Sequence, residues 1–434
     1  MRGFTTFVDE LEELYKSQAE GPSECDSDLL NLDEALDGAA SERLRKLVDS
    51  VTLKSESAFF TGSGIANRLA MQIETELNRS GGPPVIDPAC GAGDLLIAAA
   101  RNLPLGDTLK ETLQQWSHRL KGFDRSRTFI KSTKYRLALL AVHRHEQVQR
   151  SLPDPLDYFH NIEQVNDALS EDSWPYFDYV LLNPPFSKIE APGDIEWASG
   201  KVSQASLFVS KSLDSLDSDG GILAILPDVL RSGSRYRAWR KHVEASSVLR
   251  KLEVIGKFDK LTDIDVFAVD LRIDPSDAAQ PEAWWPEEDS NLDRVGDLFD
   301  LQVGSVVPHR HSETSSAEPF VDATSLPSWE TTRVEETPRR GFDCSAVSPP
   351  FVTIRRTSSP TDPKRAVGTV VVGDQDVMVE NHLIVLVPKD GSVNRCRELM
   401  RRLEQDKTDN WLNTRIRCRH LTITSLEKLP WWNL

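Results

Sequence analysis

The chain of 434 residues has few cysteines, no long apolar run and a deficit of basic residues. Its five cysteines are odd in number and not closely paired, so we predict reduced thiols in a cytoplasmic protein, without a disulfide framework or metal site. No stretch approaches the roughly 20 apolar residues of a membrane span. The 51 Lys and Arg residues against 68 Asp and Glu residues give a net charge of −17, so any polyanion-binding surface must be local.

The motif Asn183-Pro184-Pro185-Phe186 directly follows the apolar run Tyr179–Leu182, which we predict to be a strand. The asparagine side-chain oxygen and the carbonyl of the first proline can both accept hydrogen bonds from one planar NH2 group. The prolines stiffen the backbone and have no N–H that would compete for these acceptors. The aromatic ring offers a face on which a flat base can stack. We therefore predict that these four residues are catalytic and activate an amino group.

A second motif, DPACGAGD from Asp87 to Asp94, stands between two apolar segments and predicts a strand, a tight turn and a helix. Its glycines let the backbone approach a ligand closely. The full dinucleotide pattern is missing, and Asp87 precedes the turn, which favours a cofactor with a cationic amino-acid tail over one with a pyrophosphate. A further strand-like segment ends at Asp124, whose carboxylate is suited to bind ribose hydroxyls.

In these motifs and in their order, residues 55–275 resemble the amino-group DNA methyltransferases, specifically the N6-adenine enzymes, and among them the modification subunits of type I restriction systems. The resemblance implies an α/β, Rossmann-like methyltransferase domain that uses S-adenosyl-L-methionine. Alternating strands and helices here agree with a mostly parallel sheet. The cofactor-binding residues that the resemblance implies are Phe60, Thr61, Asp87, Ala89, Gly91, Gly93, Asp94, Asp124, Asp167 and Asn183.

The resemblance further implies site-specific N6 methylation of adenine in double-stranded DNA, as part of a restriction-modification or related defence system. Asn183 and the Pro184 carbonyl would hold the amino group, and positioning would supply most of the rate enhancement. A base in a duplex must be flipped out to reach such a pocket, with Phe186 beneath it. Phe258 aligns with a second aromatic wall, although a core position is an equally good interpretation of this residue.

Four regions are predicted along the chain. Residues 1–54 form an acidic, helical segment that either caps the catalytic domain or docks a partner. Residues 55–275 form the catalytic domain, and the proline-rich, acidic residues 276–290 form a linker. Residues 291–434 carry strand-like segments at 351–354, 367–372 and 382–387, and resemble the target-recognition domain of a type I specificity subunit.

Basic residues are concentrated in this last region, at 339–340, 355–356, 364–365 and 415–419. A single basic pair is commonly no more than solvated surface. Their concentration favours a DNA-facing surface, and guanidinium groups suit both phosphates and base edges. We therefore expect Arg355, Arg356, Arg417 and Arg419 to contact DNA.

Other functions remain open at this stage. Protein glutamine N5-methyltransferases use a similar motif on an amide NH2 group, but they are shorter and prefer tyrosine at its last position. Cytosine N4 methylation usually places serine first in the motif. A catalytically inactive DNA-binding subunit is a third alternative. A companion endonuclease or specificity subunit is possible, and the chain is expected to be a monomer or a homodimer.

Overall fold

The computed structural model describes residues 2–19, 30–37, 61–145, 152–172, 174–193, 195–216, 220–258, 264–273, 281–285, 292–358 and 361–433. The chain divides into two compact units. The first comprises residues 1–230, 237–255 and 266–282, and the second comprises residues 231–236, 256–265 and 283–434. Within the described ranges, no helix has both the length and the apolar character that crossing a bilayer demands.

The elements up to residue 282 include both helices and strands. The helices are α1 (Arg2–Ser17), α2 (Leu32–Leu36), α3 (Ser63–Ala70), α4 (Glu74–Asn78), α5 (Asp94–Ala100), α6 (Leu109–Arg119), α7 (Arg127–His145), α8 (Gln204–Ser215), α9 (Asp228–Ser232) and α10 (Arg237–Ser246). The strands are β1 (Val85–Asp87), β2 (Leu120–Asp124), β3 (Ile162–Gln164), β4 (Tyr179–Leu182), β5 (Lys188–Glu190), β6 (Lys201–Ser203), β7 (Gly221–Pro227), β8 (Val248–Lys257) and β9 (Asp265–Arg272).

Seven of these strands form one sheet in the order β3-β2-β1-β4-β7-β9-β8. The pairs from β3 to β7 are parallel, and β9 runs antiparallel to β7. Strands β1, β4 and β7 are buried along their whole length, which is why they are continuous apolar runs in the sequence. The strand order reverses between β1 and β4, and ligands of open α/β sheets bind at such a reversal, beyond the carboxyl ends of the strands.

Helix α1 packs on α7, which flanks this sheet. Its apolar residues recur at helical spacing and are buried at Phe4, Phe7 and Leu11. The ring of Phe4 meets Phe129 of α7 edge to face, with 4.8 Å between the ring centroids. The amino-terminal helix therefore covers part of the first unit, as expected if it caps that unit.

The second unit contains most of the remaining elements. Its helices are α11 (Val295–Leu298), α12 (Val393–Leu403), α13 (Asp406–Arg415) and α14 (Ile423–Glu427). Its strands are β10 (Phe299–Val303), β11 (Glu313–Val321), β12 (Thr331–Arg333), β13 (Arg339–Phe342), β14 (Phe351–Arg355), β15 (Gly368–Val372), β16 (Met378–Val379) and β17 (Leu383–Pro388).

The β-rich character expected for this region is confirmed. Strands β14, β15 and β17 coincide with the three predicted strand segments and lie next to each other in a five-stranded sheet, β10-β17-β14-β15-β12. A second sheet has the order β13-β11-β16. An apolar core that includes Val352, Ile384 and Leu399 joins the larger sheet to α12. Two helices, α12 and α13, follow β17 in the chain.

The division between the units is less simple than a linker at 276–290. Residues 231–236 and 256–265, which lie inside the predicted catalytic domain, group with the second unit. Residues 281–285 are folded: the backbone N–H of Glu282 donates to the Leu249 carbonyl at 2.7 Å, and its carboxylate accepts from the backbone N–H of Leu252. These contacts are long-range in sequence, so composition could not indicate them. The other residues of the predicted linker lie outside the described ranges.

Candidate active site

A cavity of about 550 Å³ lies in the first unit, where β1, β2 and β4 end. Both predicted motifs contribute to its lining, together with the segment around Asp167 and the start of α8. The predicted residues that line it are Thr61, Asp87, Ala89, Gly91, Asp94, Asp124, Asp167, Asn183 and Pro185. Parallel strands end at the same edge of a sheet, and this is how residues distant in sequence reach one cavity.

The glycine turn is shaped by backbone conformations that other residues seldom adopt. Gly91 has φ of 53° and Gly93 has φ of 91°. The Thr133 hydroxyl of α7 donates to the Gly91 carbonyl at 3.0 Å. A Cβ atom at Gly93 would lie 2.7 Å from Thr133 Cγ2, so this glycine allows α7 to pack against the turn. Gly93 does not line the cavity in the described part of the chain, and its role is to shape the turn.

We predict that Gly93→Ala lowers both the melting temperature and the affinity for S-adenosylmethionine, the latter more than tenfold, because the new methyl group clashes with Thr133. Gly81→Ala is the matched control, since Gly81 also has a positive φ of 65° but no atom within 4 Å of the added Cβ. Backbone strain alone should destabilise this control, by about 1–3 kcal/mol. Thermal melts and calorimetric titration measure both effects. Equal losses in the two variants would contradict the packing role of Gly93.

Asp124 holds the turn from the end of β2. One carboxylate oxygen accepts from the Gly91 N–H at 3.1 Å, and the other accepts from the Ser126 N–H at 2.7 Å. The Cys90 N–H donates to the Phe123 carbonyl at 2.8 Å, which adds a backbone link between the same two segments. The carboxylate predicted to bind ribose therefore faces the cavity and orders the glycine turn as well.

The cavity is acidic at the end of β1. Asp87 is 2% exposed and accepts a hydrogen bond from the Ala89 N–H at 3.1 Å. Burial, together with the nearby charges of Asp124 and Asp94, raises the pKa of Asp87 to about 8. Asp94 itself forms a buried ion pair with Arg136 of α7 at 2.9 Å. A cationic ligand would favour the charged form of Asp87, whereas a pyrophosphate would be repelled.

The raised pKa of Asp87 predicts a specific pH dependence of stability. In the folded protein, Asp87 retains a proton that it releases near pH 4 in the unfolded chain. The contribution of Asp87 to the free energy of unfolding therefore decreases from about pH 4 to about pH 8. The slope approaches about 1.4 kcal/mol per pH unit in that range. Asp87→Asn, which cannot ionise, should lose less stability between pH 6 and pH 8 in cofactor-free thermal melts. If the stability of the two proteins changes equally with pH, the raised pKa of Asp87 is contradicted.

Asn183 lies at the end of β4, and its orientation is defined by Thr61. The Asn183 Nδ2 group donates to Thr61 Oγ1 at 3.0 Å, which places Oδ1 on the opposite side of the amide. Thr61 was predicted as a cofactor residue, and the structure adds this contact with Asn183. Pro184 is buried and Phe186 is half-buried, and neither lines the cavity in the described residues. Phe60 lies outside the described ranges.

Asp167 is exposed at the cavity and organises its own turn. Its carboxylate accepts from the Leu169 N–H and from the Ser170 hydroxyl, each at 3.0 Å. The apolar residues Val165, Ala168 and Leu169 surround it in the cavity lining. Small and aliphatic side chains therefore supply the apolar wall beside Asp167.

Several lining residues could not be predicted from the sequence. They are Arg125, Ser126 and Phe129 near the end of β2, and Ser187, Ile189, Gln204 and Phe208 near the motif at 183–186. Strands β5 and β6 form an antiparallel hairpin that follows the motif, and this hairpin brings the start of α8 back to the cavity. Ser187 directly follows the motif, which is the only local signal that could have indicated it. Gln204 carries no such signal.

The residues predicted to contact DNA belong to the second unit, where they contact other protein groups. Arg355 donates to the Leu326 carbonyl at 3.1 Å, and Arg356 donates to the Asn381 carbonyl at 2.9 Å. Arg417 forms an ion pair with Asp265 at 2.7 Å. These three arginines are half-buried and tie loops together, whereas Arg419 is exposed.

Two further residues in the second unit are buried, although the sequence allows a surface position for both. Phe258 is only 8% exposed, in agreement with the alternative of a core position, so its ring offers little surface to a base. Arg365, which the sequence places in a basic pair, is 1% exposed. It donates to Asn413, to the Ile416 carbonyl and to the Cys418 carbonyl at 2.7, 3.0 and 2.9 Å. A buried guanidinium therefore anchors the segment that carries Arg417 and Arg419.

The cavity suits S-adenosylmethionine. Its volume lies within the roughly 300–1,000 Å³ of ligand pockets. The glycine turn permits close approach, Asp124 is placed for ribose hydroxyls, and the buried Asp87 fits a cationic amino-acid tail. The sheet order and these cavity residues are those of a Rossmann-like methyltransferase, and S-adenosylmethionine is its cofactor. Among the described residues, no three His, Cys, Asp or Glu side chains are grouped so as to hold a metal ion.

Comparison with known proteins finds one family model that matches. Residues 38–249, just under half of the chain, match the family model for N-6 DNA methylases. No curated protein matches the chain. A type IIL restriction-modification enzyme, MmeI, solved in complex with DNA, has a similar fold with a TM-score of 0.57 and 12% identity over 90% of this chain and 70% of its own.

Two other solved structures are similar at lower scores. The type IIG restriction endonuclease BpuSI gives a TM-score of 0.45 with 13% identity, and the match covers 97% of this chain and 67% of that chain. The methyltransferase subunit of a type I restriction-modification system from Streptococcus thermophilus gives 0.36 with 19% identity, over 55% of this chain and 50% of that chain.

Proposed function

We propose that the protein is a site-specific DNA methyltransferase that modifies the N6 atom of adenine, as the modification component of a restriction-modification or related defence system. One observation carries the proposal: the Asn-Pro-Pro motif and the glycine turn line the same cavity. An amino group held by Asn183 would thus lie beside the bound cofactor. The match of residues 38–249 to the N-6 DNA methylase family model supports the same activity.

The chain's own residues would act mainly by positioning. Thr61 orients the Asn183 amide, so that its oxygen and the Pro184 carbonyl serve as acceptors for the two protons of the amino group. Bound S-adenosylmethionine supplies the electrophilic methyl group. Hydrogen bonds to the amino group strengthen as positive charge develops on nitrogen, which lowers the barrier. A base must leave the duplex to reach this cavity, and the unstacking costs a few kcal/mol.

The second unit is proposed as the target-recognition domain. Its β-rich architecture and the exposed Arg419 support this role, and DNA is present in the MmeI complex of similar fold. The half-buried Arg355, Arg356 and Arg417 would contribute through the shape of the loops that they hold together. We thus propose that residues 55–275 carry catalysis and that residues 291–434 carry target recognition.

The proposal is tested by offering the purified full-length chain S-adenosylmethionine with a labelled methyl group. Acceptors are DNA from a host without adenine methylation and, separately, a cell extract depleted of nucleic acid. Label recovered as N6-methyladenine after digestion of the DNA to nucleosides is the expected result. Label in N4-methylcytosine, or in protein glutamine alone, would refute the adenine assignment.

A further inference from the structure

Ser187 and Gln204 form a polar pair in the cavity that the mechanism described so far does not use. Ser187 follows the catalytic motif directly, and Gln204 is the first residue of α8. The Gln204 backbone N–H donates to the Ser187 carbonyl at 2.8 Å, and Gln204 Nε2 donates to Ser187 Oγ at 3.0 Å. Both residues line the cavity, together with Asn183 and Pro185. The double contact holds the two side chains in one arrangement at the catalytic motif.

The contact with Gln204 leaves the hydroxyl proton of Ser187 for a ligand. Ser187 Oγ accepts from Gln204, and within the described residues no hydrogen bond uses the proton of the Ser187 hydroxyl. In this arrangement, the Ser187 hydroxyl presents an O–H group at the end of the cavity where the catalytic motif lies.

We propose that the Ser187–Gln204 pair donates a hydrogen bond to the ring nitrogen next to the amino group of the target base, which is N1 of adenine. This inference rests on the proposed function and deepens it. Asn183 and Pro184 supply acceptors for the amino group, and the neighbouring ring atom of adenine is an acceptor that requires a donor. Ser187 is a specificity-determining residue in this arrangement, and Gln204 is a positioning residue that acts through Ser187.

The experiment compares three target bases in one duplex. The methylated site is first located by sequencing DNA from cells that express the full chain. Duplexes with that site then carry adenine, 1-deazaadenine or 7-deazaadenine at the target, each opposite an abasic position, so that differences in base pairing do not affect flipping. Methyl transfer is measured as kcat/KM for the full-length protein and its Ser187→Ala variant.

The ratio of kcat/KM for adenine to kcat/KM for 1-deazaadenine should be about tenfold higher in the wild-type protein than in Ser187→Ala. A change of about tenfold corresponds to one hydrogen bond. Removing N1 changes the intrinsic reactivity of the amino group equally for both proteins, so their ratio isolates the contact. Both proteins should treat 7-deazaadenine alike. Ser187→Thr, which keeps the hydroxyl, should retain the preference, and Ser247→Ala, a half-buried serine outside the cavity lining, should behave as the wild type.

The same preference for adenine over 1-deazaadenine in wild type and Ser187→Ala would overturn the inference and leave the proposed function intact. A failure of the wild-type protein to methylate adenine in any DNA would instead overturn the proposed function, and this inference with it. A preference that disappears in Ser187→Ala and persists in Ser187→Thr supports the contact.

Discussion

Asn183→Ala is expected to reduce methyl transfer about a thousandfold or more, while the affinity for S-adenosylmethionine changes only a few-fold. The variant removes an acceptor for the amino group, and losing one preorganised hydrogen bond in an active site typically costs 10²–10³ in rate, or about 3–4 kcal/mol. The larger loss is expected because the same residue also positions the nitrogen. Single-turnover methylation and calorimetric titration with the cofactor separate the two effects.

Two companion variants make this result specific. Asn161→Ala is a matched control, because Asn161 is also half-buried and donates through Nδ2, to the Ser117 carbonyl at 3.4 Å, but does not line the cavity. It should retain normal turnover. Thr61→Val removes the bond that orients Asn183 and should give an intermediate loss. Near-normal turnover of Asn183→Ala would show that other groups accept from the substrate's amino group.

Asp124→Ala should weaken the binding of S-adenosylmethionine at least about a hundredfold and abolish methylation at ordinary cofactor concentrations. The carboxylate is proposed to bind the ribose, and in the structure it also accepts from the backbone of Gly91 and Ser126. Its loss therefore removes a ligand contact and loosens the turn, and hydrogen bonds to a charged group are each worth about 1.5–3 kcal/mol. Calorimetry and intrinsic fluorescence titration both report the affinity.

Asp322→Ala provides the control for turn stability alone. Asp322 caps a turn in the second unit, where one of its oxygens accepts from the backbone N–H groups of Thr324 and Ser325 at 2.8 Å. Local hydrogen bonds lower the pKa of Asp322 despite its partial burial. The control should be destabilised without a change in cofactor affinity. If Asp124→Ala binds the cofactor as tightly as the wild type, the ribose assignment is wrong.

Much of the first unit could be predicted because its signals are local. The apolar run of β4 followed by Asn183, and the apolar segment of β1 followed by a glycine turn, are each continuous in sequence. Strands buried on both faces must be apolar along their length, so such runs can be recognised without knowledge of the fold. Their order then suffices to predict that the two turns lie at one edge of a parallel sheet.

The functions of single polar residues were less predictable, because they depend on partners far away in sequence. Arg365 and Arg419 are both arginines in basic clusters, yet one is 1% exposed and the other lies at the surface. Thr61 contacts Asn183 across a large separation in the chain. Gln204 reaches the cavity only because the β5–β6 hairpin returns the chain to it.

The amino-acid sequence alone determined the class of chemistry, since the residue types in both motifs limit which cofactor and which acceptor group they can bind. It also determined the strands and helices whose apolar patterns are strong. The tertiary structure decided which polar groups share a cavity, which arginines are buried, and where the units divide. The physical reason is that burial and hydrogen bonding depend on neighbours in space, and those neighbours are known only once the sheet order and the loop paths are known.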